Sequence, residues 1–184
     1  MNNKYGNKIQ YENETNDELY TPSSLSKRFI ELMEIPSSDN CLDPFYGTGS
    51  FFNNFIDNEK NGFCEINVGK DFFKYNIKHD WIISNPPFSQ LTKVLEHTCS
   101  LSIKGFGYVM PAYSLSSSRI KKVNLNGFYI DKIIHFTNPK HWGIGFQMFF
   151  VVFTRTKNKS FINLESKNYV QRRLINWVKK TDII

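Results

Sequence analysis

Cysteine is scarce in this chain of 184 residues, with only Cys41, Cys64 and Cys99, odd in number and far apart. That pattern forms neither a disulfide framework nor a zinc spacing, and it suits a reducing, intracellular compartment. The histidines, His79, His97, His135 and His141, are equally dispersed, so no metal is expected. No apolar stretch reaches the roughly 18 residues of a membrane helix, and no signal peptide is expected, so no membrane partner is either. A phosphate loop with Gly-Lys-Ser/Thr is missing, as is the third glycine of the dinucleotide fingerprint, which disfavours a pyrophosphate ligand. There is no internal repeat and no insertion large enough to be a second domain.

What is present begins with enough apolar residue, 40% of the chain, to build the core of one domain. Residues 1–18 are polar and asparagine-rich, without hydrophobic periodicity, and read as an arm; residues 19–184 read as the single domain. The net charge of +6 fits a polyanionic partner, and equally an ordinary basic surface.

Asn85-Pro86-Pro87-Phe88 is the most informative stretch. The apolar run Trp81–Ser84 before it predicts a buried parallel strand that ends in a rigid turn. Two prolines carry no N–H, so the strand tip offers carbonyl acceptors without competing donors. Asn85 adds a side-chain carbonyl and Phe88 an aromatic face. This suits a planar group bearing an NH2; a plain surface turn is the other reading.

Upstream, Asn40–Leu42 predicts a strand, followed by the loop Asp43-Pro44-Phe45-Tyr46-Gly47-Thr48-Gly49 and an apolar segment, Phe51 to Ile56, expected as a helix. A strand, a glycine loop and a helix let backbone approach a nucleotide-like ligand closely. Asp43 is expected to attract a cation or ammonium group. Glu65 follows about 20 positions on, where such folds bind ribose hydroxyls.

Asp43-Pro44-x-x-Gly47-Thr48-Gly49-x-Phe51 followed by Asn85-Pro86-Pro87-Phe88 resembles the S-adenosylmethionine-dependent N6-adenine methyltransferases. The motif order is similar to the modification subunits of restriction systems, and so is Tyr20-Thr21-Pro22 ahead of a helix. The resemblance covers roughly residues 19–153. It implies S-adenosylmethionine as cofactor, with Tyr20, Thr21 and Pro22 near its methionine part and Asp43, Pro44, Gly47, Thr48, Gly49, Glu65 and Asn85 around it. It also implies that Asp71 takes the cofactor's adenine amino group while Phe72 stacks on the ring. Asp71 lies so soon after Glu65 that the usual helix between them must shrink to a turn; each carboxylate is otherwise a solvated one. Asn-Pro-Pro-aromatic also occurs in enzymes acting on adenine in RNA or on a protein amide. The reading is DNA over RNA, in the cytoplasm or nucleoid, with a partner subunit possible for target recognition. A methyltransferase-like domain that binds nucleic acid without turnover is the rival.

The remaining pattern completes an α/β expectation. Thr21-Pro22-Ser23-Ser24 predicts a capped helix start, with Leu25, Phe29, Leu32 and Met33 on one face. Ser89–Ser100 predicts a helix, Gly105–Met110 a strand, and Tyr129–Phe136 and Gln147–Thr154 two long strands. Residues 137–146 between them carry Lys140, Trp142 and Phe146, candidates for substrate contact; Trp142 packed on the sheet is the alternative. The basic tail, 160–184, holds an amphipathic pattern from Leu164 to Lys180. The fold expected is a three-layer, Rossmann-like methyltransferase sandwich, mostly parallel, with an antiparallel edge strand. The chemistry implied is direct methyl transfer, with the amine's protons held by Asn85 and Pro86 beside Pro87 and Phe88.

Overall fold

The computed structural model describes residues 19–57 and 59–156, and the backbone alone of residues 161–164. The arm 1–18 and the amphipathic pattern of the tail lie outside the described residues. The strands are β1 Cys41–Asp43, β2 Gly62–Phe63, β3 His79–Ser84, β4 Ser102–Pro111, β5 Tyr129–His135, β6 Met148–Thr154 and β7 Phe161–Leu164. The helices are α1 Ser23–Met33, α2 Leu91–Leu101 and α3 Ser117–Leu125. One sheet takes all seven strands in the order β2-β1-β3-β4-β6-β5-β7.

β2, β1, β3 and β4 are mutually parallel, and β6 runs antiparallel between β4 and β5. The antiparallel pair therefore lies on the expected side of the sheet, with β7 added parallel outside β5. Successive side chains leave opposite faces of a strand, and the apolar runs use both. Ile82, Phe106, Tyr108, Val151 and Phe153 join Leu91, Val94 and Leu95 of α2 and Val123 of α3 on one face. Trp81, Ile83, Val109, Phe150 and Val152 pack under Phe29 and Met33 of α1 on the other. Three layers result.

The layers fit closely because β4 is narrow where its neighbours are wide. A Cβ on Gly107 would lie 2.5 Å from the Phe150 ring and 2.8 Å from the Met33 sulfur. Phe29 stacks on Phe150 with centroids 4.4 Å apart and meets Phe136 edge-on at 5.0 Å. Truncating Phe29 to Ala costs about 3–5 kcal/mol on the usual scale for a buried aromatic.

Two local expectations are corrected. The helix expected over Phe51–Ile56 is a single 3-10 turn, Phe52–Asn54. The Asn54 side chain donates instead to the Ser50 and Ser23 carbonyls, 2.8 and 3.2 Å away, and such side-chain bonds compete with helix propagation. Thr21 does not cap α1 either: Pro22 is the cap residue, no side chain bonds the exposed amides, and the Pro22 carbonyl accepts from Leu25 and Ser26. The turn anticipated between Glu65 and Asp71 is present as a 3-10 turn, Ile66–Val68.

Candidate functional site

β1 has β2 on one side and β3 on the other, so the chain order reverses there and a crevice opens beyond the strands' carboxyl ends. Asp43 ends β1 and Ser84 ends β3. The Ser84 hydroxyl donates to Asp43 Oδ1 over 2.6 Å; the Phe45 amide donates to the same oxygen, and the Phe52 amide to Oδ2. Asp43 is fully buried, which pushes its carboxyl up to about 6 against these stabilising bonds. It forms no part of the cavity wall, so the expectation that Asp43 meets an ammonium group directly is corrected. It holds the loop and ties it to the strand leading into Asn85.

That loop walls a cavity of about 400 Å3, within the usual range for small-molecule sites. Tyr20, Thr21, Pro44, Gly47, Thr48, Glu65, Asp71, Phe72, Asn85 and Pro87 all line it. Gly47 has φ +50°, and a Cβ there would lie 3.1 Å from the Tyr20 ring. Glu65 braces the same glycine: its Oε2 accepts the Gly47 amide at 3.0 Å while Oε1 accepts Asn67. Each oxygen retains a lone pair for a ligand. Asp71 Oδ1 accepts the Phe73 amide at 2.9 Å. Phe72 is buried and meets Phe45 edge-on, whereas its neighbour Phe73 stands exposed at the rim. Pro22, Gly49, Pro86 and Phe88 are not in the wall; Phe88 packs on the apolar cluster beneath α1.

Asn85 shows the clearest polarity. Its side-chain NH2 donates to the Leu19 carbonyl, which fixes the amide's orientation, since a carbonyl there can only accept. Asn85 Oδ1 is consequently turned away, buried, and without a partner among the described residues; Thr21 Oγ1 in the same wall is equally unpartnered. Buried polar atoms are rarely left so, and here two of them belong to residues that line one cavity.

The loop 137–146 reaches this site from the far side of the sheet. Trp142 is buried, edge-on to Phe136, and its indole N–H donates to the Tyr20 carbonyl at 2.9 Å. Its ring braces the cavity wall and is not offered for stacking. Phe146 is exposed and meets Tyr113, while Lys140 is exposed with no ion pair among the described residues. Leu19, Phe45, Phe73 and Gln90 complete the wall and carry no motif signal, apart from the Phe72-Phe73 doublet. Cysteine chemistry has no place here: the thiols are buried, and burial pushes Cys41 and Cys99 up to about 12 and Cys64 to about 11.

No family model and no curated protein matches this sequence. Solved structures do match. A candidate class I S-adenosylmethionine-dependent methyltransferase from Listeria monocytogenes has a TM-score of 0.60 at 12% identity, over 91% of this chain and 72% of that one. The fold is the class I methyltransferase fold. A candidate RNA methyltransferase from Pyrococcus horikoshii shares this fold at TM-score 0.59 and 17% identity, over 74% of this chain and 86% of its own. The M protein of the type I restriction enzyme EcoKI shares it at 0.60 and 13%, over 85% of this chain. This chain spans about half of that M protein, 51%. Within the class I methyltransferase fold, the crevice described above lies where the strand order reverses.

Proposed function

We propose that this chain is an S-adenosylmethionine-dependent methyltransferase that modifies the exocyclic N6 amine of adenine in DNA. The observation that carries the reading is the Asn85 amide, whose NH2 is held by Leu19 and whose buried oxygen is left as an acceptor at the end of β3. An arylamine nitrogen is a poor nucleophile because its lone pair is delocalised into the ring. An acceptor that takes one of its protons draws the nitrogen toward tetrahedral geometry and localises that pair. Asn85, in the cavity wall, is suited to this; the resemblance gives the second proton to the Pro86 carbonyl, whose residue is buried behind that wall.

The cavity fits the cofactor by its donor set. Glu65 offers acceptor lone pairs for a diol, Asp71 an acceptor for an amino group, and Phe73 and Phe45 apolar surface for a purine. Gly47 keeps the floor low, and Thr21 supplies an unpartnered hydroxyl near the methionine end. S-adenosylmethionine supplies a sulfonium methyl: transfer breaks the S–CH3 bond, forms N–CH3, and releases S-adenosylhomocysteine and one proton. The chain's own part is positioning, in the sense that held reactants react far faster than free ones. No strong base is needed beforehand, in keeping with the absence of a carboxylate or histidine in Asn85–Phe88.

RNA is the second reading, favoured by the likeness to a candidate RNA methyltransferase. A partner subunit that recognises the target belongs to the DNA reading, since the EcoKI M protein is part of a larger enzyme. The experiment is incubation with tritiated S-adenosylmethionine and separate DNA, RNA and protein pools, followed by digestion of the labelled pool. Labelled N6-methyldeoxyadenosine supports the proposal. Label confined to RNA or protein replaces the acceptor, and no label in any pool overturns the enzyme reading.

A further inference from the structure

The motifs leave one surface feature unused. Tyr113 and Phe146 form an edge-to-face pair, centroids 5.4 Å apart, and both rings are exposed, Tyr113 at 69% and Phe146 at 36%. Exposed ring pairs are costly to keep in water and mark surfaces that bind. Register places this one. Ser84 at the end of β3 lies beside Tyr108 of the parallel strand β4, which runs on to Pro111, so both strands deliver their carboxyl ends to the same side of the sheet. Tyr113 stands two residues beyond Pro111, at the crevice edge that carries Asn85. Phe146 arrives from the other strand, because Pro111 pairs with Met148.

Both rings are held in place from behind. The Ala112 amide donates to the Gln147 carbonyl at 2.9 Å, and Asn138 donates to the Phe146 carbonyl at 2.7 Å. The middle of the same loop is fastened to the cavity wall by Trp142 and His141, both at the Tyr20 carbonyl. The loop thus runs from the cofactor cavity to the ring pair. The two segments that carry the rings are basic. The segments 111–122 and 137–147 contain Arg119, Lys121, Lys122 and Lys140 and no carboxylate. Between Glu96 and Glu165 the chain has a single acidic residue, Asp131.

We propose that the Tyr113–Phe146 pair is a stacking platform for an unpaired nucleobase next to the one presented to Asn85. A planar ring beside a phosphodiester matches an exposed aromatic pair whose flanking segments hold Lys121 and Lys140, exposed and outside any ion pair among the described residues, whereas an acidic or aliphatic peptide matches only one of these features. The platform rests on the nucleic-acid reading above and adds to it: Phe88 is half-buried and Trp142 is buried, so neither offers the free ring face that Tyr113 and Phe146 expose.

The test uses the full chain and fluorescein-labelled 20-nucleotide strands of oligo(dA) and oligo(rA), with binding followed by anisotropy. Tyr113→Ala and Phe146→Ala each weaken binding about 5- to 150-fold, the range for loss of one stacked base, and Tyr113→Phe retains wild-type affinity. The double substitution weakens it by less than the product of the two, because both rings serve one base. The salt dependence stays the same in all variants, since no charge is removed. Wild-type affinity in Tyr113→Ala, or no binding of either strand by the wild type, overturns the platform. Tritium transfer to the same strands is measured in parallel. Transfer by the wild type with undiminished binding in both alanine variants overturns the platform alone, whereas no transfer to any pool overturns the methyltransferase reading itself. A thermal melt of each variant identifies loss of fold, and Tyr113→Phe then decides: weakened binding by that variant, with its melt unchanged, overturns the proposal.

Discussion

Asn85 and Leu19 are 66 positions apart in sequence, yet the side-chain amide of one donates to the main-chain carbonyl of the other. The next carbonyl along, that of Tyr20, accepts the indole N–H of Trp142. Residues 19–21 are thus a strap across the cavity, fastened from the end of β3 at one carbonyl and from the aromatic loop at the next. The strap decides which face of the Asn85 amide a ligand meets.

Asn85→Ala removes the free acceptor. Cofactor affinity by calorimetry stays within a few-fold of wild type, while the rate of transfer falls by about a hundredfold or more, because the lost bond strengthens as charge builds on the amine. Equal loss of affinity and rate assigns Asn85 to holding the strap rather than to the chemistry.

Gly47→Val places a branched side chain at φ +50°, against the Tyr20 ring. A left-handed backbone costs a non-glycine residue about 1–2 kcal/mol before any clash is counted. Cofactor affinity is expected to fall by at least about tenfold. Unchanged affinity in a calorimetric titration shows that the loop does not touch the cofactor.

Asp43→Asn isolates a pH effect. The folded carboxyl titrates at about 6, above its ordinary value of 3.8, because burial opposes its charge. Between these values the folded state binds more protons than the unfolded state, so this group's contribution to stability decreases as pH rises from about 4 to about 6. The difference in unfolding free energy between wild type and Asp43→Asn therefore shifts in the variant's favour over that window and is level above it. A pH-independent difference in denaturant midpoints excludes this titration.

Salt dependence counts the phosphate contacts. Arg119 is tied to the Ser114 carbonyl and Thr92, and Lys122 is paired with Glu96 at 2.7 Å. Lys121 and Lys140 remain, exposed and outside any ion pair among the described residues. Two contacts give a loss of about tenfold in affinity between 50 and 200 mM salt. A fall nearer a thousandfold calls for about six, and the tail's Arg172 and Arg173 then join them.

Local sequence determined a good deal. Asn85-Pro86-Pro87 dictates a rigid strand tip through missing N–H groups and restricted φ. The run Trp81–Ile83 dictates a strand buried on both faces, since it has no polar side to turn to water. The Gly47 and Gly49 loop was legible because only glycine takes φ +50° and +79° without strain. What the sequence could not determine were the partners of side chains far apart along the chain. Asp43 looked like a ligand-facing carboxylate, but Ser84, Phe45 and Phe52 enclose it, and that enclosure exists only once β1 and β3 pair. Trp142 stood equally well for a stacking ring or a packed one, and the Tyr20 carbonyl, 122 positions away, decided for packing. The meeting of Tyr113 and Phe146 has the same origin. Side-chain type and backbone preference are local properties, but burial and hydrogen-bond partnership belong to the assembled sheet, whose β4–β6 pairing brings distant stretches to one edge.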